Sequence, residues 1–242
     1  MATQTTAPIE VTTVLGDDSF QLRSLHWEER LGYPFEGKLV LVSDTANIDL
    51  QSLLKTPASV RVDGPGGTPS YFNGYIAKAE NLGPEIRQTR YSVTLVPAIA
   101  LLRHSGGCRI FQEFTVIDIV KKIFSNFGFS GELEMRLSGE YEKRDYCVQY
   151  CESDFNFLHR ILQSEGIYYF FEYSEEKHCM VLADDVQAHA SASGNETILY
   201  RPTKDTRLDE FLTELKTSRK FVTGAVELGD YDFEKPRAKL TA

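Results

Sequence analysis

The side chains best equipped for chemistry fall between residues 108 and 185. Cys147 and Cys151 are separated by three residues, and His159, His178 and Cys179 follow, so thiolate and imidazole donors of the kind that hold zinc are present. Their spacing is not that of a zinc knuckle. If 147–151 is a strand, the two thiols share a face through the two-residue period alone. The expectation is therefore buried free cysteines packing as small hydrophobes, with no metal and no cofactor. A hydrolytic centre drawn from Glu152, Asp154 or Glu165 with His159 fails on distance, because Asp154 and Glu165 are set roughly 16 Å apart along one helix. Glu152 and Asp154 are better placed to favour a helix N-terminus through its dipole. The sequence has no G-x-S-x-G and no H-E-x-x-H, and the GPGG run beginning at Gly64 leads into a strand rather than a helix, which does not suit a phosphate cradle. The aromatic run 168–171 offers faces on which a sugar or nucleobase would stack. In a hairpin strand alternate rings turn inward, so packing is the better assignment, and the same holds for Trp27, the only tryptophan. No residue is assigned a catalytic role.

The elements that position these groups follow from periodicity and caps. Val116, Val120, Ile123, Phe124 and Phe127 form an apolar stripe at the helical period, with Thr115 at the N-cap, Asp118 in the capping-box position and Gly128 ending the helix. A second helix starts after Ser153, carries Phe155, Leu158, Ile161, Leu162 and Glu165, and stops at Gly166. Residues 167–173 are aromatic and β-branched, and four polar residues return the chain into 178–183, which predicts a hairpin. Upstream, segments 9–15 and 20–27 read as a hairpin turned at 16–19; strands at 35–43, 57–62, 71–79 and 89–96 follow, with a helical turn near 49–54, a loop at 64–69 and a short helix at 98–104. Beyond Asp185 a Ser- and Ala-rich stretch reads as a linker, and strand patterning returns at 197–200, 208–218 and 220–228.

The fold class expected is mainly β with an α+β insert. Residues 1–104 make a first barrel-like β-domain, 105–190 a small two-helix and hairpin domain, and 191–242 the beginning of a second barrel-like domain, too short as written for a seven-stranded barrel. The chain is therefore expected to be poor at forming a symmetric assembly by itself. A formal net charge of −9 opposes binding to a phosphate backbone, so nucleic acid is not an expected partner. No apolar run approaches the ~20 residues of a membrane span, and the N-terminus lacks a basic start followed by an apolar stretch, so neither stable membrane insertion nor a signal peptide is expected. Four cysteines in a chain without an export signal predict free thiols and no structural disulfide.

Three blocks of residues resemble a known family. They are Arg109, Ile110, Phe111 and Gln112; then Gln149, Tyr150, Glu152, Ser153, Asp154 and Phe155 running on to Glu165, Gly166 and Ile167; and finally Asp230, Tyr231, Asp232, Phe233 and Pro236. In this order they resemble the N-terminal region of VgrG, the spike of type VI secretion, which is itself similar to the hub of contractile phage baseplates. His159 stands where the family pattern has Ser, Cys151 where it has Arg, and Gln163–Ser164 replaces an acidic pair. The resemblance implies a structural role: a homotrimer whose β-domains form a pseudo-hexameric ring, docking on an Hcp-like tube protein, with effectors or a tip protein as further partners. It also implies assembly in the cytoplasm and export without a signal peptide to the exterior or into a target cell. A hub from a phage or phage-derived particle is the near alternative, and an envelope-directed enzyme or carbohydrate-binding module is the alternative of another class.

Overall fold

Alternating inward and outward side chains build the first sheet. In strand β3 (Tyr33–Ser43) Phe35, Leu39 and Leu41 are buried while Glu36 and Lys38 face out, and in β6 (Gln88–Val96) Tyr91, Val93 and Leu95 are buried. With β1 (Ile9–Thr12), β2 (Gln21–Arg30), β4 (Pro57–Asp63) and β5 (Pro69–Glu85) they form one antiparallel sheet in the order β1-β4-β5-β6-β3-β2. Its edges, β1 and β2, approach each other without pairing, so the sheet curls toward a barrel around Phe20, Val60, Ile76 and Tyr91. The one-turn helix α1 (Leu50–Leu53), capped by Asp49, lays Leu53 on that core. This is a computed structural model; it describes residues 9–16, 18–63, 69–189, 199–201, 211–221, 224–225, 227, 229–230 and 233–241.

The expected hairpin between 9–15 and 20–27 does not form. Strand β1 pairs with β4 and β2 with β3. Phe20 supplies the reason: it is buried edge-on to Tyr91 at 5.6 Å, so the connection is anchored across the core and carries the chain from one sheet edge to the other.

The α+β part begins with α2 (Ala98–Leu101) and a 3-10 turn, then β7 (Gly106–Phe111), α3 (Val116–Asn126), β8 (Leu133–Arg136), β9 (Cys147–Ser153), α4 (Asp154–Ser164), β10 (Tyr168–Tyr173) and β11 (His178–Ala183). The capping box of α3 is present: Asp118 N–H donates to Thr115 Oγ1 at 3.1 Å, and Thr115 N–H donates to Asp118 Oδ2 at 3.2 Å. Its buried face is Val116, Ile119, Val120, Ile123 and Phe124; Phe127 sits at the C-cap, largely outside the stripe. The Ser153 hydroxyl caps α4 by accepting from Asn156 N–H at 3.2 Å. Because the helix starts at Asp154, its inner face runs through Asp154, Phe157, Leu158, Ile161 and Leu162, and Phe155, one position round, is only half buried. Gly166, at φ +70°, reverses the chain while Ile167 N–H donates to Leu162 O, the helix stop expected there. The predicted hairpin is β10–β11, with β8 added parallel to β11, and β7 pairs antiparallel with β9.

Sheet and hairpin meet through rings. Trp27 stacks on Phe35 at 4.6 Å and meets Tyr173 edge-on, and Phe35 meets Phe171 edge-on at 4.8 Å. Trp27 Nε1 donates to the Tyr173 hydroxyl at 3.3 Å, and Gly32 N–H to Tyr169 O at 2.8 Å. Met1–Glu196, which contains all of this, is one compact unit, and Thr197–Ala242 is another.

Within the second unit β12 (Leu199–Tyr200) pairs parallel with β13 (Phe211–Leu212), and β14 (Gly229–Asp230) antiparallel with β15 (Leu240–Thr241). Long strands expected over 208–218 and 220–228 are absent from the described residues there. Leu215 and Phe221 are exposed.

Candidate functional site

Three residues of the family pattern, Arg109, Gln149 and Asp154, meet at the junction of β7, β9 and α4. Arg109 on β7 reaches across the ladder: its Nε donates to Gln149 Oε1 at 2.8 Å, and its Nη2 pairs with Asp154 Oδ1. Gln149, wholly buried on β9, donates its amide to the same Asp154 oxygen at 2.8 Å and to Glu152 O at 3.0 Å. Asp154 is 1% exposed at the first helical position of α4, where its charge also meets the positive end of the helix, and its own N–H donates to Ser105 O. A buried carboxylate needs such partners to remain charged. The three side chains thus form a clasp that fixes the strand pair to the helix start. Gly106 permits the close approach: a Cβ there would lie 2.6 Å from Glu152 O.

The other motif residues support the same frame. Phe111 stacks on Phe157 at 5.6 Å, Ile167 is buried, and Glu165 at the end of α4 pairs with Arg144 at 2.5 Å. Glu152 pairs with Arg160 at 2.5 Å, and Phe155 lies under the Arg103 guanidinium, 4.3 Å from the ring centre. Ile110, Gln112 and Tyr150 are exposed. Of the last block, Tyr231 and Asp232 lie outside the described residues; Asp230 pairs with Leu240, and Phe233 and Pro236 are exposed.

The groups considered for chemistry are held apart or engaged. Asp154 and Glu165 stand at opposite ends of α4. His159 is locked: Nδ1–H donates to Phe155 O at 2.9 Å and Nε2 accepts from the Tyr169 hydroxyl at 2.8 Å, while burial lowers its pKa. Cys147 is buried, Cys179 half-buried with its thiol pKa raised by burial, and among the described residues no cluster of three or more His, Cys, Asp or Glu has the geometry to hold a metal. The expectation that Cys147 and Cys151 share a face fails, because a bulge in β9 turns Cys151 outward beside Cys108.

One group of titratable residues was not anticipated. An open cleft of about 650 Å³ is lined by Glu10, Arg61, Asn73, Tyr75, Glu132 and His178 among others. Tyr75 donates to Glu132 Oε1, and burial raises the pKa of both. His178 is pushed down to about 4 by burial. Its Nε2 lies 3.3 Å from Glu132 Oε2 but accepts from Ala98 N–H at 3.2 Å, so at neutral pH the ring is uncharged and this contact is not an ion pair. Only knowledge of which strands become neighbours would have assembled residues so distant in sequence.

A curled sheet locked to an α+β insert by aromatic packing, with its most specific polar residues given to holding elements together, defines a structural module. Residues 28–242 match the family described as phage tail baseplate hub (GPD), and the chain belongs to that family. Among its relatives are two type VI secretion system spike proteins of Pseudomonas aeruginosa. VgrG1a is 36% identical over 238 residues, 98% of this chain and 37% of the relative, and VgrG1c is 37% identical over 238 residues, 98% of this chain and 33% of the relative. The chain spans about a third of the length of the curated relatives it matches. An E. coli protein, c3393, described as a type VI secretion component with structural similarity to the T4 tail proteins gp27 and gp5, superposes with a TM-score of 0.61 at 26% identity, covering 76% of this chain and 52% of that one.

Proposed function

We propose that this chain is the hub portion of a type VI secretion spike, acting as a structural part and not as an enzyme. The observation that carries the reading is the family match across 28–242, and the clasp of Arg109, Gln149 and Asp154, which holds elements together, is in keeping with it. In this reading three copies assemble into a pseudo-hexameric ring, the ring docks on an Hcp-like tube, and effectors or a tip protein travel with it. The ring forms in the cytoplasm and leaves the cell without a signal peptide. The working division remains 1–104 as the barrel-like part, 105–190 as the α+β part and 191–242 as the start of a second barrel-like part, the first two parts packing within the one compact unit Met1–Glu196.

The test uses the full-length protein that carries this hub. Native mass measurement and electron microscopy with the tube protein are expected to give a trimer seated on tube ends. A stable monomer that leaves tube ends bare, or release of soluble fragments from peptidoglycan by the hub alone, would overturn the reading.

A further inference from the structure

Two of the four thiols are placed to react with each other. Cys108 and Cys151 are exposed, and their sulfurs lie 3.6 Å apart across the β7–β9 ladder, whereas Cys147 is buried and Cys179 half-buried. The placement depends on an irregularity in β9. Gly107 faces Glu152 and Arg109 faces Gln149, so Tyr150 and Cys151 together stand opposite the single residue Cys108. Cys151 takes up the extra residue at φ +48°, a left-handed conformation that costs a side-chain-bearing residue energy. The bulge moves its thiol from the inner face, where Cys147 and Gln149 are buried, to the outer face beside Cys108. The clasp of Arg109, Gln149 and Asp154 holds both strands close by, so the sulfurs are kept near each other without being bonded.

We infer that Cys108 and Cys151 are a dithiol site that closes to an intramolecular disulfide when the protein meets a disulfide oxidant. In the first step one of the two thiolates attacks a sulfur of the oxidant, such as glutathione disulfide or the disulfide of a thiol oxidoreductase, breaking its S–S bond and releasing one thiol equivalent. The second cysteine, as thiolate, attacks the protein sulfur of that mixed disulfide and expels the other thiol. Two electrons pass from the protein to the oxidant, which ends as two thiols that carry the two protons lost by the cysteines. In a reducing cytoplasm the pair stays open; outside it, it closes. That occasion rests on the proposed export, whereas the reactivity of the pair does not. Once formed, the bond would tie β7 to β9 within the family-pattern residues and close the chain segment between them, which contains α3 and β8.

The experiment equilibrates the purified chain in glutathione buffers from fully reducing to fully oxidising, then denatures, alkylates and digests it. Two of the four thiols should disappear together, with a linked peptide joining Cys108 to Cys151 and a melting temperature higher by about 5–10 °C. Cys108→Ser and Cys151→Ser should each abolish the link, melt like the reduced parent and take up one glutathione at the remaining partner. Four alkylatable thiols in excess glutathione disulfide, or links to Cys147, to Cys179 or between chains in its place, would overturn the inference. Protein recovered from culture medium is compared with protein from cells: a pair that closes in buffer while the protein never leaves the cell counts against export and not against the pair.

Discussion

Replacing Gly37 by Ala tests the joint between sheet and hairpin directly. The new methyl carbon would lie 2.2 Å from Trp27 Cζ3 and 2.3 Å from Cε3, far inside van der Waals contact. The backbone at Gly37 is ordinary strand, so the effect is steric. For relief the indole must retreat by over about 1 Å to reach an ordinary carbon–carbon separation. It has little freedom to do so, being stacked on Phe35, tilted against Phe72 at 5.3 Å and tied to the Tyr173 hydroxyl. Overpacking of this kind costs about 1–3 kcal/mol. For a unit of this size that corresponds to a melting temperature lower by about 3–10 °C. Circular dichroism follows the melt, and because Trp27 is the only tryptophan, its emission reports the displaced ring without ambiguity. Pairing Gly37→Ala with Trp27→Leu should recover part of the loss, giving a coupling above about 0.5 kcal/mol. An unchanged melt with unchanged emission, or strict additivity in the double variant, would refute the account of the joint.

Further outcomes concern the insert. Arg109→Ala leaves a buried carboxylate without its cation and should cost about 3 kcal/mol, with Arg109→Ala plus Asp154→Asn less damaging than Arg109→Ala alone in a urea titration. Leu158→Ala should cost about 2–5 kcal/mol and Phe157→Ala about 3–5, with half-buried Phe155→Ala less than either; the reverse order would mean that α4 presents another face. His178, held to about 4 by burial against ~6.5 unfolded, makes the unfolded chain the better proton acceptor between those values. Its contribution to stability is whole above pH 6.5 and lost as pH falls to about 4, up to about 3 kcal/mol, less an opposing contribution from Glu132, whose raised pKa favours the folded state on acidification. Denaturant melts of the parent should weaken across that window, and those of His178→Gln should be flatter; equal slopes would remove His178 as the cause.

What could be read from the sequence was local. Thr115 with Asp118, Ser153 with its following helix, Gly166 and the polar turn before His178 act over a few residues, and each stands where expected. Pairing across long distances could not be read. Strand β1 finds β4 because Phe20 is drawn into the core, and β8 joins β11 although no turn signal links them. The site divides the same way. Arg109, Gln149 and Asp154 were picked out by family pattern, but their mutual contact required the β7–β9 register, and the bulge that sets Cys151 beside Cys108 leaves no trace in period-two counting.

The ring cluster at the joint also governs the order in which the chain can fold during synthesis. Trp27 and its hydrogen-bond partner Tyr173 are 146 residues apart. At about 5–20 residues per second, the ribosome takes roughly 7–30 s to deliver the second after the first. Through that interval the six-stranded sheet can pair completely, since its strands end at Val96, yet the outer surfaces of Trp27, Phe35 and Phe72 wait for a cover that has not been made. A nascent chain of this length is therefore at its stickiest after the sheet has formed, and chaperone binding during translation should peak there and fall as β10 and β11 emerge.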